Sequence, residues 1–249
     1  MSERSLNNPP LDELVFGIQF NGRVFSTNEI IELYQKYFQR DYPEILEKPL
    51  IPNSVELVDR TEVRLLQSTE SRKQFIHKND DLVIQLQPDR ILFNWRRGKN
   101  KSEYPHFDEI FEMFEKEILK NPVIEQKLPF ADQLELTYLD RIIDDSFKLN
   151  EYQLGSVFNW FDSEKLSRSF QFNQSYYISE LHSGVSISIS TAIRNSDKQP
   201  LVSFETTIRG IRKDLSLVAW YFKAREEVIQ IFFDAIKIEL IDKWRKRQN

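Results

Sequence analysis

Cysteine is absent from the 249 residues, which rules out disulfides, thiolate nucleophiles and zinc–thiolate centres together. The three histidines, His77, His106 and His182, lie far apart and form no His-x-x-x-His pair, so no histidine-based metal site is expected. Glycine is also scarce. Six residues, none in a phosphate-cradling spacing, leave neither a P-loop nor a Rossmann turn. No Gly-x-Ser-x-Gly occurs, and Ser183-Gly184 beside His182 reads as a turn before a strand. Nowhere do roughly 18 apolar residues follow one another, so no helix spanning a bilayer is expected. The start, from Met1 to Pro10, holds no apolar run of signal-peptide length. These absences give the expectation of a cytoplasmic protein without metal, cofactor or catalytic motif.

What is present is material for a core. Hydrophobic residues make up 40% of the chain and aromatics 13%, including 19 Phe, which is far from the composition of chains that stay unfolded. The formal charge of −5 argues against nucleic acid held over the whole surface, since phosphate contacts need clustered Lys and Arg.

The chain reads as two similar halves, 1–121 and 126–249, with the boundary at Asn121-Pro122. In Leu11–Phe20, Leu14, Phe16, Ile18 and Phe20 share one face, the period-two signature of a half-buried strand. Ser26-Thr-Asn-Glu supplies N-cap chemistry for a helix over Glu29–Gln39, and Tyr42-Pro43 ends it. Short strands are expected at Glu62–Gln67 and Lys73–His77. Clearer ones come next, in which Leu82, Ile84 and Leu86 alternate, and then Ile91, Phe93 and Trp95. A helix over Tyr104–Lys120 carries Phe107, Ile110, Phe111, Phe114 and Ile118 on one stripe.

The second half restarts with a strand at Gln133–Ile142, then a short helix over Tyr152–Phe161. Strands are expected at Phe170–Ile178, Val185–Thr191 and Leu201–Arg209. One long helix over Ser216–Trp244 would run roughly 40 Å at about 1.5 Å per residue. Strand–helix–strands–helix, stated twice, implies an α+β fold: an antiparallel sheet with helices on one face. That order resembles the duplicated saddle of TATA-box-binding proteins, a resemblance of fold that carries no function.

Three constellations are candidate sites. The first is Trp95, Arg96, Arg97, Lys99 and Lys101, an aromatic among cations as used for single-stranded nucleic acid, to which Arg245 and Arg247 of the C-terminal basic run would add if the fold brought the two runs together. A solvated loop with a core-facing Trp, and cations favoured at a helix C-terminus, account for the same residues. The second is a hydroxyl-rich sheet face formed by Ser186, Ser188, Ser190, Ser203, Glu205, Thr207 and Arg209, a hydrogen-bonding platform or a plain wet face. The third is a polar pocket between the halves. Asp140 falls on the apolar side of its strand, where a carboxylate must find a partner or lose its charge. Arg141 points to the opposite face, and Tyr138 and Arg225 are the other polar groups proposed for this pocket. Asp80-Asp81 and Asp144-Asp145 read as turn residues.

Several stretches carry a wider resemblance: Asn8-Pro-Pro-Leu-Asp-Glu13, then Leu82-Val-Ile-Gln-Leu-Gln-Pro-Asp-Arg-Ile-Leu-Phe-Asn-Trp95, Tyr104-Pro-His-Phe107, Leu136-Thr-Tyr-Leu-Asp-Arg-Ile142 and Ala224-Arg-Glu226. Together they resemble a sporadically distributed family of bacterial proteins of about this length, for which no activity is established. The resemblance implies a stand-alone bacterial or phage-derived cytoplasmic protein. Where the family pattern has Asn and His, this chain has Asp140 and Arg225. The function expected is non-catalytic binding or regulation through a protein partner, in a prophage, toxin–antitoxin or anti-phage setting. Nucleic-acid binding through the basic loop, and a small-ligand site or enzyme between the halves, are the alternatives.

Overall fold

The computed structural model describes residues 6, 9–56, 61–64, 70–98, 103–145, 147–148, 151–162, 165, 167–194 and 197–245. The chain is α+β. Its strands are β1 (Leu11–Phe20), β2 (Glu44–Lys48), β3 (Asn53–Glu56), β4 (Thr61–Arg64), β5 (Arg72–Ile76), β6 (Leu82–Gln87), β7 (Arg90–Arg96), β8 (Ala131–Ile142), β9 (Gln171–Ile178), β10 (Ser183–Ile193) and β11 (Pro200–Gly210). Nine of them, among the described residues, form one antiparallel sheet in the order β2-β5-β6-β7-β1-β8-β11-β10-β9, while β3 and β4 pair as a separate hairpin. Strands β1 and β8 run side by side at the middle, so a single sheet crosses from the first half into the second.

Register places one apolar residue from each of the seven strands between the two edges in a row across the sheet. Phe75, Ile84, Phe93, Phe16, Leu136, Ile208 and Val185 are successive cross-strand partners, and each is essentially buried. The helices α1 (Thr27–Leu33), α2 (Phe107–Phe114) and α4 (Leu217–Ala235) cover this row. Phe75 packs on Tyr34 and Phe38 just past α1. Phe16 stacks on Phe114 at 4.9 Å and meets Phe107, Phe111 and Tyr221. The Tyr221 hydroxyl, fully buried, donates to the Gly17 carbonyl at 2.7 Å and pins α4 to β1.

Helix α1 starts as its sequence indicates. Ser26 accepts from the Glu29 amide at 3.2 Å while the Glu29 carboxylate accepts from the Ser26 amide at 2.8 Å, a reciprocal capping box. Both α1 and α2 close in a wide turn: the Gln39 amide reaches the Tyr34 carbonyl and the Lys120 amide the Glu115 carbonyl, each five residues back. Asn121 then caps α3 (Pro122–Glu125), with proline at its first position.

Three expectations need correction. The C-terminal helix is not continuous: α4 ends at Ala235 and α5 (Ile238–Arg245) comes after it. Residue Ile236 is extended and bridges to Phe158, while Asn159 donates to the carbonyls of Asp234 (3.1 Å) and Ile236 (3.0 Å). A tertiary strand contact has outcompeted the next helical turn. The segment supplying it, expected to be a helix over Tyr152–Phe161, is instead a single tight turn at Leu154–Ser156 flanked by isolated bridges. Finally, β2 and β3 had no counterpart in the reading of periodicity, and of the strand expected at Glu62–Gln67 only β4 is described, residues 65–67 lying outside the described residues.

The β3–β4 hairpin belongs to the face away from the helices. Just before it, Ile51 exchanges two hydrogen bonds with the Gln87 amide group (3.0 and 2.9 Å), and the Pro52 carbonyl accepts from Arg90 at 3.3 Å. Among the described residues no helix is long and apolar enough to cross a membrane.

Candidate ligand-binding site

Two adjacent strands break their apolar faces at neighbouring positions. On β8, Tyr138 and Asp140 follow Leu134 and Leu136 on the helix side. On β11, Thr206 sits between Phe204 and Ile208. Tyr138 is the cross-strand partner of Thr206, and Asp140 that of Phe204. All three are at least nine-tenths buried. A register shift interrupts the start of β1 between Leu11, the partner of Asp140, and Glu13.

A cavity of about 480 Å³ opens there, walled by α4 on one side and by the segment leading into α2 on the other. That volume lies in the range of small-molecule sites. Leu6, Pro9, Leu11 and Phe107 from the first half meet Val228, Ile229, Phe232 and Phe233 from α4, giving a largely apolar wall. Into it project Tyr104, Tyr138, Asp140, Thr206 and Arg225, with His106 and Glu226 exposed at its rim. The sequence-derived trio Tyr138, Asp140 and Arg225 therefore does converge in one concave space.

The polar atoms inside are conspicuously unpaired. The Tyr138 hydroxyl, the Thr206 hydroxyl and the Arg225 Nε are buried and make no hydrogen bond among the described residues, an uncommon condition for buried polar groups. The Tyr104 hydroxyl is near enough to influence Tyr138 electrostatically, and burial raises the pKa of both phenols, yet among the described residues Tyr138 forms no hydrogen bond of ordinary geometry. The Asp140 carboxyl is pushed up to about 8, first by burial and then by the nearby Asp12 carboxylate. At neutral pH it is predominantly a neutral acid, able to donate as well as accept. Arg225 lies over the Phe107 ring at 4.7 Å, and its nearest carboxylate, Asp108, is 4.0 Å away and mostly exposed. Such an exposed pair is weak.

His106 forms the rim where α2 begins. Its backbone, at φ 70° and ψ 157°, occupies a region that side chains rarely adopt, at a cost on the order of 1–3 kcal/mol. Its ring packs against Tyr104 at 5.4 Å. Strain of this kind is held in place by surrounding contacts.

The basic loop is arranged differently. Trp95 faces the core at 2% exposure and meets Tyr104 edge-on, so it presents no open ring to a base. Arg96 pairs with Asp80, and Arg97 donates to the carbonyls of Leu11 and Pro9, both at 3.2 Å, tying down the entry to β1. Lys99 and Lys101 lie outside the described residues, as does Arg247, while Arg245 pairs with Asp242 at 3.1 Å. Of the two readings of this run, the structure has the core-facing Trp95 and not an open stacking platform.

The hydroxyl-rich residues do share one face, opposite the helices. Ser186 and Glu205 are exposed there, and Ser188, Ser190 and Ser203 are half-buried. Thr207 is hydrogen-bonded to Thr137 at 2.8 Å. Arg209 grips Glu135 through Nε (2.8 Å) and Nη2 (2.7 Å), with Arg90 on the other side at 4.0 Å. Burial acts to raise Glu135, but the two guanidiniums outweigh it and hold the carboxyl below its ordinary value. Burial, with Glu135 and Glu13, raises Glu205, although its side chain keeps contact with solvent. Of the seven platform residues, Thr207 and Arg209 are thus committed to internal pairing.

Sequence reading missed Thr206 and Tyr104. Thr206 carried the same signal that singled out Asp140, a polar residue on an apolar strand face. Tyr104 stands in a loop, where no periodicity marks it. No protein-family model matches the chain, and no curated protein matches it.

Proposed function

We propose that this chain is a non-catalytic small-molecule-binding protein whose ligand lies between the sheet and α4. The observation that carries the reading is the convergence of Tyr138, Thr206 and Arg225, each with a buried polar atom lacking a partner among the described residues, in one cavity beside Asp140. A bound molecule that satisfied them would recover the desolvation cost of each, on the order of 1–3 kcal/mol per group. Binding is favoured over catalysis because neither hydroxyl is hydrogen-bonded to a base that would activate it.

Both halves contribute walls to the cavity, and strand order supports reading them as related units forming a saddle-like duplicate. In each, the first strand (β1 or β8) lies beside the last (β7 or β11), and the remaining strands step outward. A ligand held at such a junction is well placed to govern how the halves pack. That suits a regulatory protein with a protein partner, in the prophage, toxin–antitoxin or anti-phage setting that the family resemblance suggests.

The test is a thermal-shift screen of small metabolites against the wild-type chain and an Ile229→Trp variant, in which the indole fills the cavity. Saturating ligand stabilises only the state that binds it, so at least one compound raises Tm in the wild type and none does in the variant. The same shifts in both proteins, or none in either, would refute the reading.

A further inference from the structure

We infer that the ligand of this cavity is an amphipathic carboxylate, its head received by Arg225, Tyr138, Thr206 and Asp140 and its apolar body laid along Val228 and Phe232. This assignment rests on the proposal that the cavity is a ligand site, and adds to it the chemistry of the ligand.

Each unpaired polar atom inside the cavity has a proton to donate. Arg225 Nε can only donate, and the hydroxyls of Tyr138 and Thr206 each have a proton to place. Asp140, nearly fully buried, adds another donor while it is protonated. A matching head group must therefore be rich in acceptors, and a carboxylate offers two oxygens with about four lone-pair sites. A guanidinium meets that group with particular geometric fidelity.

Charge points the same way. Arg225 is the lining cation, its exposed neighbour Asp108 stands off at 4.0 Å, and the one carboxyl deep in the cavity is neutral at pH 7. A ligand ammonium would have to sit near an unneutralised guanidinium. It would also face Arg225 Nε, which cannot accept a hydrogen bond. The rest of the wall, from Leu11 and Phe107 across to Phe232, is hydrocarbon, which suits a body of alkyl or aryl character.

Asp140 makes the interaction pH-dependent. The groups facing it are Asp12 from β1, Tyr104 from the loop before α2, Tyr138 from its own strand and Arg225 from α4, with His106 and Glu226 at the rim. Of these, both phenols are raised by burial and stay protonated as pH rises. Ionisation of Asp140 would set a second anion beside the head group, so affinity falls as pH rises through about 8.

The experiment is calorimetric titration at pH 6.5 with decanoate, 3-phenylpropanoate, decylamine and 1-decanol, using proteins whose folding is checked by circular dichroism. At least one carboxylate is expected to bind at least tenfold more tightly than the alcohol, with no binding of the amine. Decanoate against phenylpropanoate separates an alkyl from an aryl source. Arg225→Gln is expected to weaken carboxylate binding at least tenfold and leave the alcohol unchanged. Thr206→Val, nearly isosteric, supplies a second variant with a smaller loss in the same direction. Asp140→Asn should bind at pH 6.5 and lose the fall in affinity towards pH 9. Amine bound as tightly as carboxylate, or affinity indifferent to both Arg225→Gln and Thr206→Val, would overturn the assignment and leave the cavity a ligand site of another class. Failure of all four probes, combined with a metabolite screen that stabilises nothing, would remove the ligand site itself.

Discussion

Replacing Asp140 by Asn should make the protein more stable, and increasingly so as pH rises. The carboxyl is 4% exposed and its proton is held up to about 8 against an ordinary value of 3.8. The folded state therefore binds the proton more tightly than the unfolded chain. Between those two values the folded chain carries the extra proton, and stability falls with each step in pH. At about 1.36 kcal/mol per pH unit, the cost accumulated by pH 7 is roughly 4 kcal/mol and the full cost above pH 8 roughly 6 kcal/mol. Below pH 4 it vanishes. Asparagine is nearly isosteric and bears no charge, so Asp140→Asn removes this dependence and keeps the packing. The assay is urea unfolding of both proteins at half-unit steps from pH 4 to 9, comparing midpoints at constant slope. The two proteins should coincide near pH 4 and diverge above it, the variant resisting more denaturant. Parallel curves, or a wild type that gains on the variant in alkali, would refute the claim that a neutral acid is buried there.

Further expectations concern the frame that builds the site. Tyr221→Phe deletes the bond from α4 to the Gly17 carbonyl and should cost about 1–2 kcal/mol in denaturant unfolding. His106→Gly relieves the unusual backbone at the rim and should be neutral or stabilising by about 1 kcal/mol, whereas an ordinary Gly substitution destabilises. Glu135→Gln leaves Arg90 and Arg209 crowded without their carboxylate and should cost about 3–5 kcal/mol. Because that carboxyl is held below its ordinary 4.5, the wild-type advantage is complete above pH 4.5 and shrinks as pH falls further. Asn159→Ala frees the carbonyls at the α4–α5 break, so amide exchange at Ile236–Leu240 should accelerate.

The sheet was legible because its strands bury one face. Alternation marked β1, β6, β7, β8, β10 and β11 within a residue or two at most ends, and the Phe107-Ile110-Phe111-Phe114 stripe marked α2. Strand β2 was not legible. As an edge strand, largely exposed, it has no apolar face to advertise. The break after Ala235 was invisible for a different reason: Ile238 and Ile241 continue the helical spacing, and only the distant Phe158 and Asn159 impose the interruption. In the site, Asp140 was found because charge on a core face is conspicuous. Thr206 was not, since a threonine is common in strands and its hydroxyl draws notice only when it lacks a partner. The basic run misled in one respect. Composition placed Trp95 among cations, but strand alternation had already assigned its ring to the core beside Leu14 and Leu82, and that assignment governs where the indole lies.

An experimental structure determined with a saturating amphipathic carboxylate tests the central claim most directly. The head group should lie within hydrogen-bonding distance of Tyr138 Oη, Thr206 Oγ1 and Arg225 Nε, with the apolar body beneath α4. A ligand bound elsewhere, or a closed cavity in which those three atoms are bonded to the protein itself, would contradict it.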